Sequence, residues 1–340
     1  MSHKRISIRE IAKLSGVSVA TVSRVINNNG RFSEETRQRV LGVIQEQGYE
    51  TNAIAKGLRM RRTNTIGIVV PDLNNSFFSD LVEKIESQFF TVGYSTIICD
   101  TARDPHKEAG YLKMLESKLV DGIVVISGLS EFDSQQLSRQ VPIVCIDRKP
   151  KTKDVMYIGS DHYQGAKLAT KELIDAGTSP LILLGSRESP SSNDRLRGYR
   201  ETMAQNELQV SDDSIFRLTA EQDVSIDSRR SAIRQLLRKQ MLQDKLPIGI
   251  FAVSDTLAAD TVFAAHSLFI SIPSDLKVVG FDDSPIARYC YPELTTIHQD
   301  TNAIAQHAST YLISAIQGQQ SPLSSPIKLV DVSLVKRNTV

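Results

Sequence analysis

A chain of 340 residues, 41% hydrophobic and 23% charged, can bury a large core and is not a disordered polymer. Its formal net charge of +1 hides an asymmetry: residues 1–62 hold 12 Lys/Arg against 5 Asp/Glu, leaving 28 of the 40 basic and 34 of the 39 acidic residues to the rest. A basic head on a mildly acidic body suits a nucleic-acid binder that carries a small-molecule sensor. Cys99, Cys145 and Cys290 lie far apart, with no CxxC pair, and are expected to pack in cores rather than form disulfides. The six histidines lack metal-ligand spacing, and no G-x-G-x-x-G, P-loop or G-x-S-x-G motif occurs. Neither a metal, a cofactor nor an enzyme is therefore expected. With no leader of charged-then-apolar type and no apolar run of spanning length, the chain is expected in the cytoplasm, without membrane contact.

Ser7 precedes the apolar run Ile8, Ile11, Ala12 and Leu14, with Glu10 three residues on, which predicts a helix opened by a capping box. Gly16 supplies a tight turn. Ser18 then caps a second helix with an apolar face of Val22, Val25 and Ile26. Its other face presents Thr21, Ser23, Arg24 and Asn27, short hydrogen-bonding side chains and one guanidinium suited to phosphates and base edges. The pair reads as a helix-turn-helix. A third helix fits 34–47, capped by Ser33 and stopped by Gly48, with Val40, Leu41, Val43 and Ile44 closing a three-helix core. Residues 51–59 form a short helix-like segment, and 61–64 a polar linker.

From Thr65 short apolar strands alternate with amphipathic helices. Strands are expected at 66–70, 95–99, 122–126, 143–146, 180–184, 248–253 and 277–281. Helices are expected at 79–91, 107–117, 164–176, 196–205, 228–242 and 256–265. Continuous apolar strands with intervening helices imply parallel sheets covered on both faces, with ligands beyond the carboxyl ends of the strands. Those ends carry Asn75, Phe77, Phe78, Asp147, Arg148, Ser254, Asp255, Phe281, Asp282 and Gln299, and Arg195 opens a helix. Aromatic faces stack on the C–H face of a sugar, while carboxylates and guanidinium groups take its hydroxyls. The set is chemically a sugar pocket.

The run Gly16-Val-Ser-Val-Ala-Thr-Val-Ser-Arg-Val-Ile-Asn27 is followed by Ser33-Glu-Glu-Thr36, Gly48-Tyr49, Asn52-Ala-Ile-Ala-Lys-Gly-Leu-Arg59 and Thr65-Ile-Gly-Ile-Val-Val-Pro-Asp72. In this order and spacing they resemble the lactose-repressor (LacI/GalR) family of bacterial transcription regulators, nearest its ribose-operon repressors and then its sucrose-operon repressors. The resemblance implies an α/β body of two doubly wound parallel-sheet lobes, periplasmic-binding-protein-like, behind an all-α helix-turn-helix DNA-binding domain. It implies a head over 1–50, a hinge helix and linker over 51–62, and a body over 63–340. The N-lobe would span about 63–160 plus 293–322, and the C-lobe about 161–290 plus 323–340.

By the same resemblance Val19 and Ala20 face bases and Arg24 contacts guanine, while Ser18, Thr21, Ser23, Asn27 and Arg31 hold phosphates. Asn52, Ala55 and Leu58 belong to the hinge helix, with Leu58 the minor-groove wedge. Thr51 stands where proline is usual and Gly57 where serine is common, and an interior glycine costs about 1 kcal/mol relative to alanine. In the body Asn75, Phe77, Phe78, Asp147, Arg148, Arg195, Phe281, Asp282 and Gln299 match the pocket of ribose-binding relatives, whereas Ser254 departs from the asparagine usual before Asp255. The expected protein is a homodimeric, sugar-responsive repressor on a pseudopalindromic double-stranded operator. Ribose is the favoured effector, with sucrose or a fructose derivative next, and a protein co-regulator is left open. The competing class, a sugar-binding protein without a DNA role, shares the body but conflicts with the basic head and the missing leader.

Overall fold

The structure, a computed structural model, describes residues 6–26, 28–49, 62–128, 131–138, 140–186, 188–242, 247–321, 323 and 325–340. Two units separate, Met1–Thr63 and Asn64–Val340. The expected hinge contacts Asn52, Ala55 and Leu58, and the phosphate contact Asn27, lie outside the described residues.

The head holds α1 (Ile8–Ser15), α2 (Val19–Ile26) and α3 (Glu34–Gln47). Ser7 Oγ accepts from Glu10 N at 3.3 Å, and Ser7 N donates to the Glu10 carboxylate at 2.7 Å, so the capping box closes. Gly16 ends α1 in the left-handed region at φ 68°. Ile11, Ala12, Val22, Val25 and Val40 form a core with Val43 and Ile44 half-buried beside it. Leu14 and Leu41, expected inward, are 56% and 38% exposed. Three short helices enclose one narrow core; on α1 Ser15 rather than Leu14 completes the buried face with Ile11 and Ala12, and on α3 Val40 is buried while Leu41 lies at the edge.

The body is two sheets. The first contains β1 (Thr65–Val70), β2 (Ser95–Asp100), β3 (Gly122–Ile126), β4 (Ile143–Ile146), β5 (Met156–Ser160) and β11 (Ile327–Val330), ordered β11-β5-β4-β3-β1-β2 and parallel throughout. Helices α4 (Ser76–Thr91), α5 (Pro105–Ser117) and α11 (Thr301–Ile316) accompany it. The second contains β6 (Leu181–Gly185), β7 (Ile215–Arg217), β8 (Ile248–Ala252), β9 (Leu276–Asp282), β10 (Thr295–Gln299) and β12 (Val332–Val335), ordered β12-β10-β9-β8-β6-β7. Only β12 among these strands is antiparallel. Its helices are α6 (His162–Asp175), α7 (Pro190–Gln205), α8 (Ile226–Met241), α9 (Asp255–His266) and the short α10 (Ile286–Tyr289).

Both sheets therefore repeat the doubly wound order in which the second strand lies outside the first and the third on its other side. Buried strands explain the continuous apolar runs: β3, β4, β6 and β8 are buried at every residue. The helices close over them, with Phe89, Ile85, Ala308 and Leu312 on one face of the first sheet and Leu112 and Leu115 on the other.

The chain crosses between the lobes after β5, after β10 and between β11 and β12. The return to the first lobe differs from expectation. Residues 295–299 pair with β9 in the second sheet, and the returning segment runs from α11 through β11, so 327–330 sit in the first lobe. The cause is long-range pairing, which strand periodicity does not encode. β5 and β7 were not among the expected strands, and α11 was not among the expected helices. No helix among the described residues is long and apolar enough to cross a membrane.

Candidate functional site

The head presents one polar helix face. Ser18 Oγ accepts from Thr21 N at 3.1 Å and lies 2.9 Å from the Thr21 hydroxyl, which starts α2. With Val22 and Val25 turned into the core, Val19, Ala20 and Arg24 are exposed and Thr21 and Ser23 half-buried. The aliphatic part of Arg24 runs along Gly30, at φ 93°, where an added Cβ would lie 3.3 Å from Arg24 Cδ. Arg31 is exposed beyond it. Among the expected base and phosphate contacts, those described share an exposed or half-exposed edge on and after α2.

The body gathers its site residues at the carboxyl ends of strands. Asp147 follows β4 with φ 51° and Asp282 ends β9 with φ 124°, both in the left-handed half of φ that non-glycine residues seldom adopt. Asp147 is 5% exposed and accepts from Ser160 N at 3.2 Å. His162, 2% exposed, places Nε2 2.9 Å from the same Asp147 oxygen. Its Nδ1 lies 3.3 Å from the Arg195 guanidinium. Arg195 also donates to the Val253 carbonyl, approaches Asp282 at 3.9 Å and lies 3.8 Å over the Phe281 ring. Gln299 Nε2 donates to Asp282 at 2.7 Å. One polar chain thus runs from the first lobe (Asp147, Ser160) through His162 to the second (Arg195, Asp282, Gln299).

Burial shapes the charges along it. Desolvation raises the Asp282 carboxyl well above its ordinary value, against the pull of Arg195, and lowers the guanidinium of Arg195. Three buried atoms on this chain, Ser160 Oγ, Arg195 Nε and Gln299 Oε1, have no partner among the described residues. Buried polar atoms are paired in the great majority of cases, so these three are exceptions among the described residues. Gly159 permits the arrangement, because a Cβ there would sit 2.4 Å from the Asp147 carboxylate.

Other expected site residues are engaged by neighbours within the protein. Asp147 and Arg148 are both expected to take sugar hydroxyls, but their side chains diverge. Arg148, 4% exposed, is held by Glu108 through two hydrogen bonds of 2.7 and 3.0 Å and lies 5.4 Å over Phe132. The left-handed turn at Asp147 sends consecutive side chains in different directions. Arg148 instead lines a cleft of the first lobe with Thr101, Arg103, Glu108 and Ser127.

Phe281, expected to stack on a sugar, is fully buried between Phe251 and Gly165, with Arg195 above it. Ser254 caps α9 through Leu257 N, and Asn75 caps α4 through Phe77 N. Phe77 and Phe78 are buried edge-to-face, with Arg103 5.9 Å over Phe78. Asp255 is fully buried and accepts from Ser284 N, Ser284 Oγ and Thr296 Oγ1 within its own lobe. Burial raises its carboxyl to about 7 against those hydrogen bonds. His162, Ser160 and Glu108 were missed. Ser160 ends buried β5 and His162 follows the Asp161 cap of α6, a signal hidden because 156–160 was not read as a strand.

No group of three His, Cys, Asp or Glu residues able to hold a metal occurs among the described residues. Residues 7–52 match the sequence family described as bacterial regulatory proteins, lacI family, and residues 170–340 match a periplasmic binding protein-like domain. A ribose operon repressor of Halalkalibacterium halodurans is 32% identical over 98% of this chain and 96% of its own length. A sucrose operon repressor of Streptococcus mutans is 35% identical over 93% of this chain and 94% of its own. The solved structure of the lac repressor dimer bound to operator and the anti-inducer ONPF superposes with a TM-score of 0.83 at 26% identity, covering 99% of each chain. An exposed polar helix face on a helix-turn-helix head, a two-lobed body and these full-length relatives together place the chain in the lacI family of bacterial regulatory proteins.

Proposed function

We propose that the protein is a homodimeric repressor of a sugar-utilisation operon, with operator affinity controlled by a small neutral sugar held between the lobes. The observation that carries the effector reading is the trio of orphaned atoms Ser160 Oγ, Arg195 Nε and Gln299 Oε1 beside Asp147 and Asp282. Each sugar hydroxyl both donates and accepts, so a polyol satisfies a hydroxyl, a guanidinium N–H and an amide oxygen together. Charge disfavours a phosphorylated sugar. Asp147 and Asp282 face the single guanidinium of Arg195, while Glu108 already neutralises Arg148.

Ribose is favoured because Asp147, Arg195, Asp282 and Gln299 match the pocket that ribose-binding relatives carry, and a ribose operon repressor aligns along nearly the whole chain. The sucrose operon repressor supports sucrose or a fructose derivative as the second reading. For DNA, Val19, Ala20 and Arg24 read bases while Ser18, Thr21, Ser23 and Arg31 set register on phosphates. Exposed Phe90, Val92 and Ile98 on the first lobe, and Tyr289 and Tyr291 on the second, are apolar surface that a partner copy would cover. The function is regulatory rather than enzymatic.

Isothermal titration of the full chain with D-ribose, sucrose and D-fructose tests the effector, alongside operator binding with and without the sugar that binds. Saturable ribose binding that changes operator affinity is expected. Binding of sucrose alone moves the assignment to the second reading, and binding of none removes the sugar-responsive reading.

A further inference from the structure

We propose that His162 is a positioning residue of this cleft, which orients Asp147 of one lobe and Arg195 of the other toward the same ligand and so sets which sugars bind. The inference rests on the effector reading above and deepens it. His162 is the first residue of α6, two positions beyond Ser160, where the chain leaves the first sheet for the second lobe. Its ring is 2% exposed and makes polar contacts on opposite edges, Nε2 with Asp147 at 2.9 Å and Nδ1 with Arg195 at 3.3 Å. An ionised carboxylate only accepts and a guanidinium only donates, so one tautomer of neutral imidazole, protonated on Nε2, satisfies both.

The ring is also wedged. Phe281 lies 5.8 Å from it centroid to centroid, inclined at 42°, and Phe281 itself abuts Gly165 one turn along α6. His162 therefore has little freedom to swing, and Asp147 and Arg195 take their directions from it. One of the three orphaned atoms is on its immediate partner Arg195, and a second is on Ser160, whose N–H donates to its other partner, Asp147. A ligand that engages those atoms is measured against a frame set by the imidazole.

The position at a crossing adds a mechanical consequence. Asp147 moves with the first sheet, whereas His162 and Arg195 move with the second lobe. A change of lobe angle must stretch or shift the Asp147–His162 contact, so the histidine ties lobe angle to the directions of the two ligand-facing charges. A sugar that bridges Asp147 and Arg195 then favours one lobe angle.

The test uses the full chain with His162→Leu and His162→Gln. Glutamine can donate to Asp147 and accept from Arg195, whereas leucine fills space alone. His162→Leu is expected to bind the wild-type sugar roughly 10–100-fold more weakly, to alter the order of preference among D-ribose, sucrose and D-fructose, and to lose the effect of that sugar on operator affinity. His162→Gln should recover most of the affinity and the wild-type order, whereas His162→Leu, which takes a partner from buried Asp147, should also melt at a lower temperature in the absence of sugar. Nitrogen-15 spectra of the imidazole should show a protonated Nε2 and a bare Nδ1. Wild-type affinity and order in His162→Leu, or equal losses in the two variants, would overturn the proposal. A wild-type protein that binds none of the three sugars defeats the effector reading itself, before any substitution is made.

Discussion

The recognition edge of the head and the cleft of the body solve the same problem, presenting hydrogen-bonding groups to a ligand, in opposite ways. On the head the groups come from one helix and its following turn, lie exposed, and are backed by a core they do not belong to. Arg24 rests its aliphatic stem on Gly30 and leaves its charge at the surface. In the cleft the groups come from β5, β9, β10, α6, α7 and the turn after β4, and they are buried against one another. The difference teaches that recognition and stability are separable at Arg24 but rest on the same interactions in the cleft.

Removing a cleft charge breaks the comparison most severely. Arg195→Ala deprives Asp282 and His162 of their partner, and loss of one member of a buried pair costs about 3–5 kcal/mol. Denaturant unfolding should show this loss in the body transition, and calorimetry should show no sugar binding. Retention of both stability and sugar affinity would mean that the cleft charges do not form one unit.

Asp255 gives the next largest effect, on pH dependence. Its carboxyl is raised from 3.8 to about 7 by burial. Between those values the folded chain keeps a proton that the unfolded chain has released, so body stability falls as pH rises through this window. The contribution is on the order of a few kcal/mol. Asp255→Asn, which keeps an accepting oxygen but cannot ionise, should flatten the fall between about pH 4 and pH 7 in denaturant titrations. An unchanged slope would show that Asp255 is not the group responsible.

On the head, Arg24→Ala should remove about 1–3 kcal/mol of discrimination between operator and random DNA while leaving the melting of the head unchanged. An operator obtained by selection from a random duplex pool serves both measurements. Equal losses on the two DNAs would reduce Arg24 to a phosphate contact. The smallest effect sharpens the contrast from the other side: Ser18→Ala deletes the α2 cap and should cost about 1 kcal/mol of head stability, measured by thermal melting with the body transition as internal reference.

The head was legible because its determinants are local. Ser7 and Glu10 close a box three residues apart, Gly16 turns left-handed where the apolar strip stops, and Val22 and Val25 lie one turn apart on α2. Leu14 and Leu41 escaped the reading because apolarity was counted without asking whether each position fell on the buried strip. In the body, strand-end positions pointed to Asp147, Asp282 and Gln299, and a helix opening pointed to Arg195; the structure brings all four onto one polar chain. Strand ends also pointed to Phe281, which is buried beneath Arg195 beside that chain, and to Arg148, Ser254 and Asp255, which are bonded to other neighbours. A strand end specifies a level in the sheet, and it says nothing of which neighbour a side chain will meet.

Sequence by itself determined the helix-turn-helix, the alternation of buried strands and covering helices, and the basic bias of the head. These depend on spacings of one to a few residues and on summed charge, which the chain carries wherever it folds. Tertiary structure alone decided that 295–299 pair in the second sheet and 327–330 in the first, that Asp147 and Arg148 part company, and that His162 stands between Asp147 and Arg195. Each of those outcomes is a contact between elements distant in sequence or a side-chain direction set by a backbone φ. Such contacts follow from competition among all possible pairings for one packed core, a property of the whole chain that no local window contains.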